Sequence, residues 1–192
     1  GEGFGPIADY CHSLGLRFGI HIMRGIPRQA VHRDTPILGT DFTARDAAHH
    51  FSVCAWNTDM YGMRDNAAAQ AYYDSVCRLY ADWGVDFIKW DDPYNARHEI
   101  EMLHRSLQNC GREVVLSLSP GPADIVHLPH LRRHAQMWRM TGDFWDRWDK
   151  LHDMFDRCKT WEGVPGPGCW PDCDMLPVGR LCTVSYTHLT LP

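Results

Sequence analysis

Hydrophobic residues along the chain recur at two spacings, and the change between them predicts helices and strands in turn. From Phe4 to Leu14 they recur every three or four positions, which predicts a helix. Gly15 follows where a glycine commonly ends a helix. Residues 17–22 (RFGIHI) then form a short apolar run that predicts a strand. The same order returns downstream, with further strands predicted at residues 85–90, 113–118 and 135–140.

Helical stripes separate these strands. One runs from Ala68 to Trp83, a second marks residues 100–107, and a third, after the fourth strand, comprises Trp148, Leu151, Phe155 and Cys158. Strands that alternate with helices through short connections imply parallel pairing, in a barrel or in a doubly wound sheet.

Polar residues that could take part in chemistry follow the strands. They are Arg24, Asp91, Asp92, Ser119 and the run from Arg139 to Asp143. A barrel enzyme gathers its site at the carboxyl ends of its strands, and no Gly-x-Gly-x-x-Gly turn supports a dinucleotide-binding sheet. We therefore predict an α/β fold of the (β/α)8 TIM-barrel type.

Two stretches do not fit the repeating pattern. Residues 23–63 are too long for an ordinary strand-to-helix connection, so we expect an elaborated loop over the site with helical turns near residues 43–50. Residues 183–192 follow neither rhythm, and we expect them to be a non-native tail. The four or five strands of residues 1–182 cannot close a barrel of at least about 200 residues, so we expect an incomplete one.

Composition narrows the class of partner. The chain is 44% hydrophobic and carries a net charge of −5 without a basic cluster, so neither nucleic acid nor an anionic membrane is expected. No apolar run approaches the roughly 18 residues of a membrane span. Among the eight cysteines, Cys169 and Cys173 bracket a turn and could pair or bind metal, but no second pair supports a zinc site. We expect no metal and no cofactor.

The segment around Asp91 is the first candidate for chemistry. In a strand of period two, Lys89 and Asp91 point the same way and Trp90 points opposite. An ammonium beside a carboxylate holds it ionised, as a covalent glycosyl transfer requires of its nucleophile. A plain salt bridge or a helix cap remains the alternative, and Asp92 suits a cap or an orienting residue.

Two further segments carry carboxylates. Asp143 follows Trp138 and Arg139 in a tryptophan-rich stretch, and apolar rings favour the protonated carboxyl that a general acid needs, although Asp143 could simply cap a helix. Arg139 could hold the nucleophile or a sugar hydroxyl. The turn at residues 166–176 presents Trp170 with two aspartates, a combination that suits carbohydrate better than calcium.

These three segments, in this order, resemble glycoside hydrolase family 27, the α-galactosidase and α-N-acetylgalactosaminidase family. The resemblance rests on Lys89-Trp90-Asp91, on Trp138, Arg139 and Asp143, and on the Gly-Pro-Gly-x-Trp-x-Asp-x-Asp-Met-Leu run at residues 166–176. The tracts at residues 14–20 and 81–86 add to it. It implies a barrel that here lacks its first strands, its last strand and the usual C-terminal β-sandwich.

The resemblance also implies roles. Asp91 would be the nucleophile and Asp143 the general acid/base of a retaining hydrolysis, with their carboxyl groups about 5–5.5 Å apart. Lys89, Arg139 and Asp174 would contact sugar hydroxyls or the nucleophile, and Trp170 would shape the pocket. The expected partner is an oligosaccharide or glycoside, and the resemblance favours a secreted or periplasmic protein.

The chain departs from the family pattern at three places. His21 stands where tyrosine is usual, Asp92-Pro93 stands where Asn-Cys is usual, and Ser119 lies near the position of a glutamate that reads the sugar's 2-position in α-galactosidases. Galactose is therefore one expectation among three, beside α-N-acetylgalactosamine and β-L-arabinopyranose.

Two different classes of function remain open from the sequence. Lys89 could be the Schiff-base lysine of an aldolase, in which case Asp143 and Trp170 would have no evident role. The chain could also be a non-catalytic carbohydrate-binding barrel, although binding alone would need neither Asp91 nor Asp143. The sequence does not indicate an oligomeric state.

Overall fold

The computed structural model describes residues 2–93 and 96–175, together with the backbone of residues 180–182 and 185–190. The chain divides into two compact units, residues 1–119 and residues 120–192. Each unit alternates strands with helices, as the sequence predicts. Within the described residues, no helix combines the length and apolar character that a membrane span requires.

The first unit is built on a three-stranded parallel sheet. Its elements, in chain order, are α1 (Gly5–Ser13), β1 (Gly19–Met23), β2 (Ile26–Pro27), α2 (Arg28–His32), α3 (Ala44–Ala47), β3 (Ala48–Val53), β4 (Met60–Met63), α4 (Ala67–Asp82), β5 (Phe87–Asp91), α5 (Arg97–Asn109) and β6 (Val115–Ser119). Strand β5 lies between β1 and β6 and pairs with both in parallel.

The register of this sheet follows from strand geometry. His21 lies opposite Lys89, and Lys89 lies opposite Ser117. Ile88 and Trp90 are fully buried, whereas Lys89 and Asp91 lie on the other face. The two faces alternate because successive residues of a strand point to opposite sides. The predicted orientation of Lys89, Trp90 and Asp91 is confirmed.

Helix ends explain where the strands can start. The Asn66 side chain accepts a hydrogen bond from the Ala69 amide at 2.9 Å and so caps the start of α4. After α4, Gly84 adopts a φ of +76°, which side chains rarely tolerate. The chain then turns from the helix into β5, as the predicted glycine cap requires.

A carboxylate anchors the start of β5. Asp86 precedes the strand and accepts hydrogen bonds from the Phe18 amide at 2.8 Å and from Arg112 at 2.6 Å, and His12 Nε2 lies 2.7 Å from its Oδ2. Burial alone would raise the pKa of Asp86, but these three partners outweigh it and lower the pKa to about 2. Asp86 therefore joins β5 to the segments before β1 and before β6.

The long segment after β1 is more regular than expected. Strands β2, β4 and β3 form an antiparallel sheet in that order. Helix α3 confirms helical turns near residue 44, but residues 48–50, predicted to share those turns, begin β3. The sequence did not predict these strands, because β2 is only two residues long and β3 has exposed residues at 49–51 in place of an alternating pattern.

The second unit contains a single 3₁₀ turn and five regular elements between residues 125 and 182, among the described residues. These are the turn Ile125–His127, α6 (Leu128–His134), β7 (Met137–Arg139), α7 (Trp148–Thr160), β8 (Trp170–Asp172) and β9 (Arg180–Cys182), followed by β10 (Ser185–Thr190). Strands β7 and β8 pair in parallel, with Arg139 opposite Asp172. Strands β9 and β10 pair antiparallel.

The structure corrects the predicted packing of helix α7 and describes only part of the predicted tail. Helix α7 forms where predicted, but Trp148 and Phe155 are 78% and 71% exposed, and Met154 is its buried residue instead. The predicted tail at residues 183–192 includes the regular strand β10, while residues 183, 184, 191 and 192 lie outside the described part. That these residues are non-native stays a prediction.

Candidate active site

The carboxyl end of β5 gathers most of the predicted site residues of the first unit. Asp91 is the last residue of β5 and lies in register with Ser119, the last residue of β6. His21 lies opposite Lys89 on the neighbouring strand β1, and its side chain reaches Asp91. The structure thus brings Asp91, Lys89, His21, Ser119 and Asp92 to one edge.

The two oxygens of Asp91 have different surroundings. His21 Nε2 lies 2.8 Å from Oδ2, while Lys89 Nζ lies 3.6 Å from Oδ1. Oδ1 is buried and has no hydrogen-bond partner among the residues that the structure describes. A buried carboxylate oxygen normally accepts a hydrogen bond, so an exception calls for an explanation. A carboxylate oxygen that accepts no hydrogen bond from these residues is available for nucleophilic attack.

Asp92 continues the chain in an unusual conformation. Its φ is +64°, a value in the left-handed region that aspartate tolerates better than most residues. Arg24 holds it there, because its guanidinium donates to the Asp92 carbonyl at 2.7 Å and to the Asp92 carboxylate at 3.2 Å. The Arg24 amide also donates to the Asp91 carbonyl at 3.0 Å. Arg24 therefore fixes both the backbone and the side chain of Asp92 at the strand end. Its role as an orienting residue of the site stays a prediction.

Arg24 is in turn held by a buried acid that sequence reasoning missed. Its Nη1 donates to Glu99 Oε1 at 2.7 Å and to Ser52 Oγ at 3.0 Å, and the Tyr73 hydroxyl donates to Glu99 Oε2 at 2.6 Å. Arg24 is 8% exposed and Glu99 1%. Breaking such a buried pair by removing one partner typically costs about 3–5 kcal/mol.

Glu99 could not be recognised from its own surroundings in the sequence. It lies in the first turn of α5, where a solvent-exposed glutamate is ordinary because negative charge favours a helix N-terminus. Its neighbour Ile100 on the apolar stripe was the available signal, since a charge beside a buried position needs a partner. That partner, Arg24, is 75 residues away in the sequence.

In the second unit, Arg139 at the end of β7 joins two carboxylates. Its Nη2 donates to Asp143 Oδ1 at 2.9 Å, and its Nε lies 3.4 Å from Asp174 Oδ1. Arg139 is 8% exposed and Asp174 12%, whereas Asp143 is 62% exposed. The expected apolar surroundings of Asp143 are therefore wrong, because its carboxylate faces solvent beside a guanidinium and Trp138 is buried in the core.

Asp174 fixes the segment that carries Asp143. Its Oδ2 accepts a hydrogen bond from the Phe144 amide at 2.9 Å, and its own amide donates to Asp172 Oδ1 at 3.0 Å. Trp170 begins β8 and is 49% exposed, which leaves much of its ring open to solvent. The second unit thus brings together Arg139, Asp143 and Asp174, with Trp170 on the adjoining strand.

Comparison with known proteins identifies related sequences and structures. A family model described as alpha galactosidase A matches residues 58–188. Alpha-galactosidase A of Homo sapiens is 26% identical over 192 residues, covering 93% of this chain and 37% of that protein.

Two solved bacterial structures are more similar. A GH27 β-L-arabinopyranosidase from Geobacillus stearothermophilus is 57% identical, with a TM-score of 0.90 over 93% of this chain and 43% of that one. A structure described as a putative α-N-acetylgalactosaminidase from Bacillus halodurans is 55% identical, with a TM-score of 0.76 over 94% of this chain and 43% of that one. The chain therefore spans well under half the length of the proteins it matches.

Proposed function

Because this chain belongs to the alpha galactosidase A family, we propose that it acts as a retaining glycoside hydrolase on terminal α-galactoside-type linkages. The observation that carries the proposal is the Asp91 carboxylate, whose Oδ2 lies 2.8 Å from His21 Nε2 while Oδ1 accepts no hydrogen bond from the described residues. A purely structural aspartate would fill both oxygens. Lys89 Nζ at 3.6 Å places a positive charge beside this oxygen.

The reaction proceeds in two steps. Asp91 attacks the anomeric carbon and forms a covalent glycosyl-enzyme, while Asp143 donates a proton to the leaving oxygen. Asp143 then takes a proton from water, which attacks the anomeric carbon and releases the sugar with its configuration retained. The exposure of Asp143 supports its role, because a group that exchanges protons with an incoming aglycone and with water must be accessible.

The remaining predicted residues bind and position the sugar. Lys89 and Arg139 are cations that can donate to sugar hydroxyls while they orient Asp91 and Asp143. Asp174 can accept hydrogen bonds from sugar hydroxyls, and the exposed ring of Trp170 offers a stacking surface. Ser119, small and placed opposite Asp91 in register, leaves room near the reacting sugar. Asp92 contributes indirectly, because its contacts with Arg24 hold the backbone that follows Asp91.

A second candidate substrate is a β-L-arabinopyranoside. The 57% identity to the Geobacillus stearothermophilus arabinopyranosidase favours it over more distant sugars. β-L-Arabinopyranose presents the same ring hydroxyls as α-D-galactose and lacks the hydroxymethyl group, so one nucleophile and one acid/base could serve both. The substrate is therefore decided by what surrounds the 5-position of the sugar.

An activity assay distinguishes the candidate sugars. The protein, purified as its source produces it, is assayed on three substrates: nitrophenyl α-D-galactoside, nitrophenyl α-N-acetylgalactosaminide and nitrophenyl β-L-arabinopyranoside. We expect release of nitrophenol from the α-galactoside or the β-L-arabinopyranoside, with retained configuration at the anomeric carbon by NMR. A folded protein that cleaves none of the three, or that gives the inverted sugar, would overturn the proposal.

Azide rescue assigns the two carboxylates. In Asp91→Ala, azide should take the place of the missing nucleophile and give a glycosyl azide of inverted configuration. In Asp143→Ala, the glycosyl-enzyme still forms from an activated glycoside, so azide should give the retained product. Identical products from both variants would show that the roles are assigned wrongly. Borohydride reduction tests the aldolase alternative, and we expect it to trap no carbonyl substrate on wild-type Lys89. A trapped adduct that is absent from Lys89→Met would instead support a Schiff-base lysine.

A further inference from the structure

Two thiols of the second unit lie side by side. Cys158 is exposed on the last turns of α7, and Cys173 follows β8 and is partly exposed. Their sulfur atoms are 3.8 Å apart. Because a disulfide bond is about 2.0 Å long, the sulfurs would need to approach by roughly 1.8 Å to bond.

The sequence pointed to a different pair. Cys169 and Cys173 bracket one turn and were candidates to pair, but the structure gives Cys169 other partners. Its sulfur lies 3.4 Å from the Val164 carbonyl oxygen and 3.3 Å from Arg132 Nε. Cys173 instead faces Cys158, 15 residues earlier in the chain. Helix α7 and the turn after β8 thus meet at two thiols.

From this juxtaposition, we propose that Cys158 and Cys173 form an oxidation site that reacts with low-molecular-weight disulfides, such as oxidised glutathione. The thiolate of Cys158 attacks one sulfur of the small disulfide, forms a mixed disulfide and releases one thiolate. Cys173 then loses its proton and attacks the Cys158 sulfur, which forms the protein disulfide and releases the second thiol. The cysteine pair loses two electrons, and the small disulfide gains them as it becomes two thiols.

The order of the two steps follows from exposure. Cys158 is open to solvent, whereas Cys173 is partly covered. Burial and the neighbouring Cys158 raise the pKa of Cys173 to about 11, so Cys173 is protonated at neutral pH and is the poorer first nucleophile. Once Cys158 carries the mixed disulfide, proximity favours attack by Cys173 over attack by a thiol from solution.

The new bond would fix a turn that already has an unusual backbone. Cys173 is the middle residue of a turn in which the Asp174 amide donates to Asp172 Oδ1, and Asp174 has a φ of +67°. Asp174 also holds the Phe144 amide and lies beside Arg139. A Cys158–Cys173 disulfide would therefore tie this turn to α7. The inference concerns the thiols and does not depend on the proposed glycosidase activity.

Peptide mapping tests the site directly. The folded protein is incubated with oxidised glutathione, free thiols are blocked with N-ethylmaleimide, and tryptic peptides are analysed without reduction. We expect one cross-link between Cys158 and Cys173, with two fewer blocked thiols per chain. Because trypsin leaves Cys169 and Cys173 in one peptide, residues 160–180, fragmentation of the cross-linked peptide assigns the bonded cysteine. Absence of this cross-link from the folded protein, or a Cys169–Cys173 cross-link in its place, would overturn the proposal.

Matched variants separate the two steps. Cys169→Ser, which removes the neighbouring thiol, should leave the cross-link unchanged. Cys173→Ser should stop at a glutathione adduct on Cys158, whereas Cys158→Ser should give neither adduct nor cross-link at the same glutathione concentration. Equal glutathione labelling of Cys173 in Cys158→Ser would contradict the order of attack. Thermal unfolding of oxidised wild type should show a higher Tm than reduced wild type, and that difference should be absent in both Cys158→Ser and Cys173→Ser.

Discussion

Strand β5 has a carboxylate at each end, and each carboxylate lies beside a histidine. At the start, Asp86 accepts from the Phe18 amide and from Arg112, with His12 2.7 Å away, so both of its oxygens are occupied. At the end, Asp91 has His21 at 2.8 Å on one oxygen, and its other oxygen has no hydrogen-bond partner among the described residues. Both side chains are largely buried, at 6% and 13% exposed.

The difference separates a carboxylate that holds the fold from one kept for chemistry. The partners of Asp86 stabilise its charged form and connect three segments of the chain. The incomplete partners of Asp91 leave it less stabilised than a buried carboxylate could be, which is a cost to folding. That cost has a reason if the free oxygen must form a bond to carbon during the reaction. Substitutions at the two ends should therefore have opposite effects on stability and on rate.

Asp91→Asn should give the largest effect. The amide is nearly the same shape but cannot attack the anomeric carbon, so kcat should fall on the order of 10⁴-fold or more. The free energy of unfolding should change by less than about 1 kcal/mol, because Oδ1 accepts no hydrogen bond from the residues that the structure describes. Steady-state kinetics and urea unfolding measure the two quantities. Substantial remaining kcat, with deamidation back to aspartate excluded by mass spectrometry, would remove Asp91 as the nucleophile.

Asp86→Asn is the matched substitution at the other end and should show the reverse pattern. Loss of the charge weakens the hydrogen bonds from Arg112 and Phe18, and the free energy of unfolding should fall by about 2 kcal/mol. The kcat of the folded fraction should stay within about twofold of wild type. Urea unfolding provides the test, and a variant as stable as wild type would show that the hydrogen bonds of Asp86 contribute little.

Acid should remove the contribution of Asp86 gradually. Its pKa in the folded protein is about 2, below the ordinary 3.8, so its charged form is favoured by folding. The stabilisation is complete above pH 4 and is lost as the pH falls from about 4 to about 2. Thermal unfolding between pH 5 and pH 2 should therefore show a Tm difference between wild type and Asp86→Asn that shrinks with acid. A difference that stays constant over this range would contradict the lowered pKa.

His21→Phe should have the smallest effect. It removes the imidazole whose Nε2 lies 2.8 Å from Asp91 Oδ2, and loss of this polar contact to a charged group should lower kcat about tenfold. His21→Gln retains an N–H donor of similar reach and should recover part of that loss. A KM that rises while kcat is unchanged would assign His21 to sugar binding instead of to positioning Asp91.

The strand end could be predicted because its geometry is local. The period of two in residues 87–91 places Lys89 and Asp91 on one face whatever the rest of the chain does, and parallel pairing brings the ends of β1, β5 and β6 together. These relations depend on the backbone alone. Sequence patterns that report backbone geometry therefore place Lys89, Asp91 and Ser119 at this edge, whereas His21 was named only through the resemblance to glycoside hydrolase family 27.

The supporting contacts could not be predicted, since they join residues that are far apart in the sequence. Glu99 reads as an ordinary first-turn glutamate, and only the fold reveals that it pairs with Arg24. The same is true of Asp86 with His12, 74 residues earlier. The solvent exposure of Asp143 could not be predicted either. The tryptophans near it in the sequence could pack around it or, as observed for Trp138, away from it.

The antiparallel sheet of residues 26–63 has a consequence for how related proteins can exchange parts. Ser52 on β3 accepts a hydrogen bond from Arg24, and a side chain at Gly62 on β4 would collide with the same guanidinium. Arg24 in turn holds the backbone that follows Asp91. Replacing this sheet alone with that of a relative would remove contacts that position Arg24. Recombination between relatives should therefore exchange residues 24–63 together with Glu99, although the two are separate in the sequence.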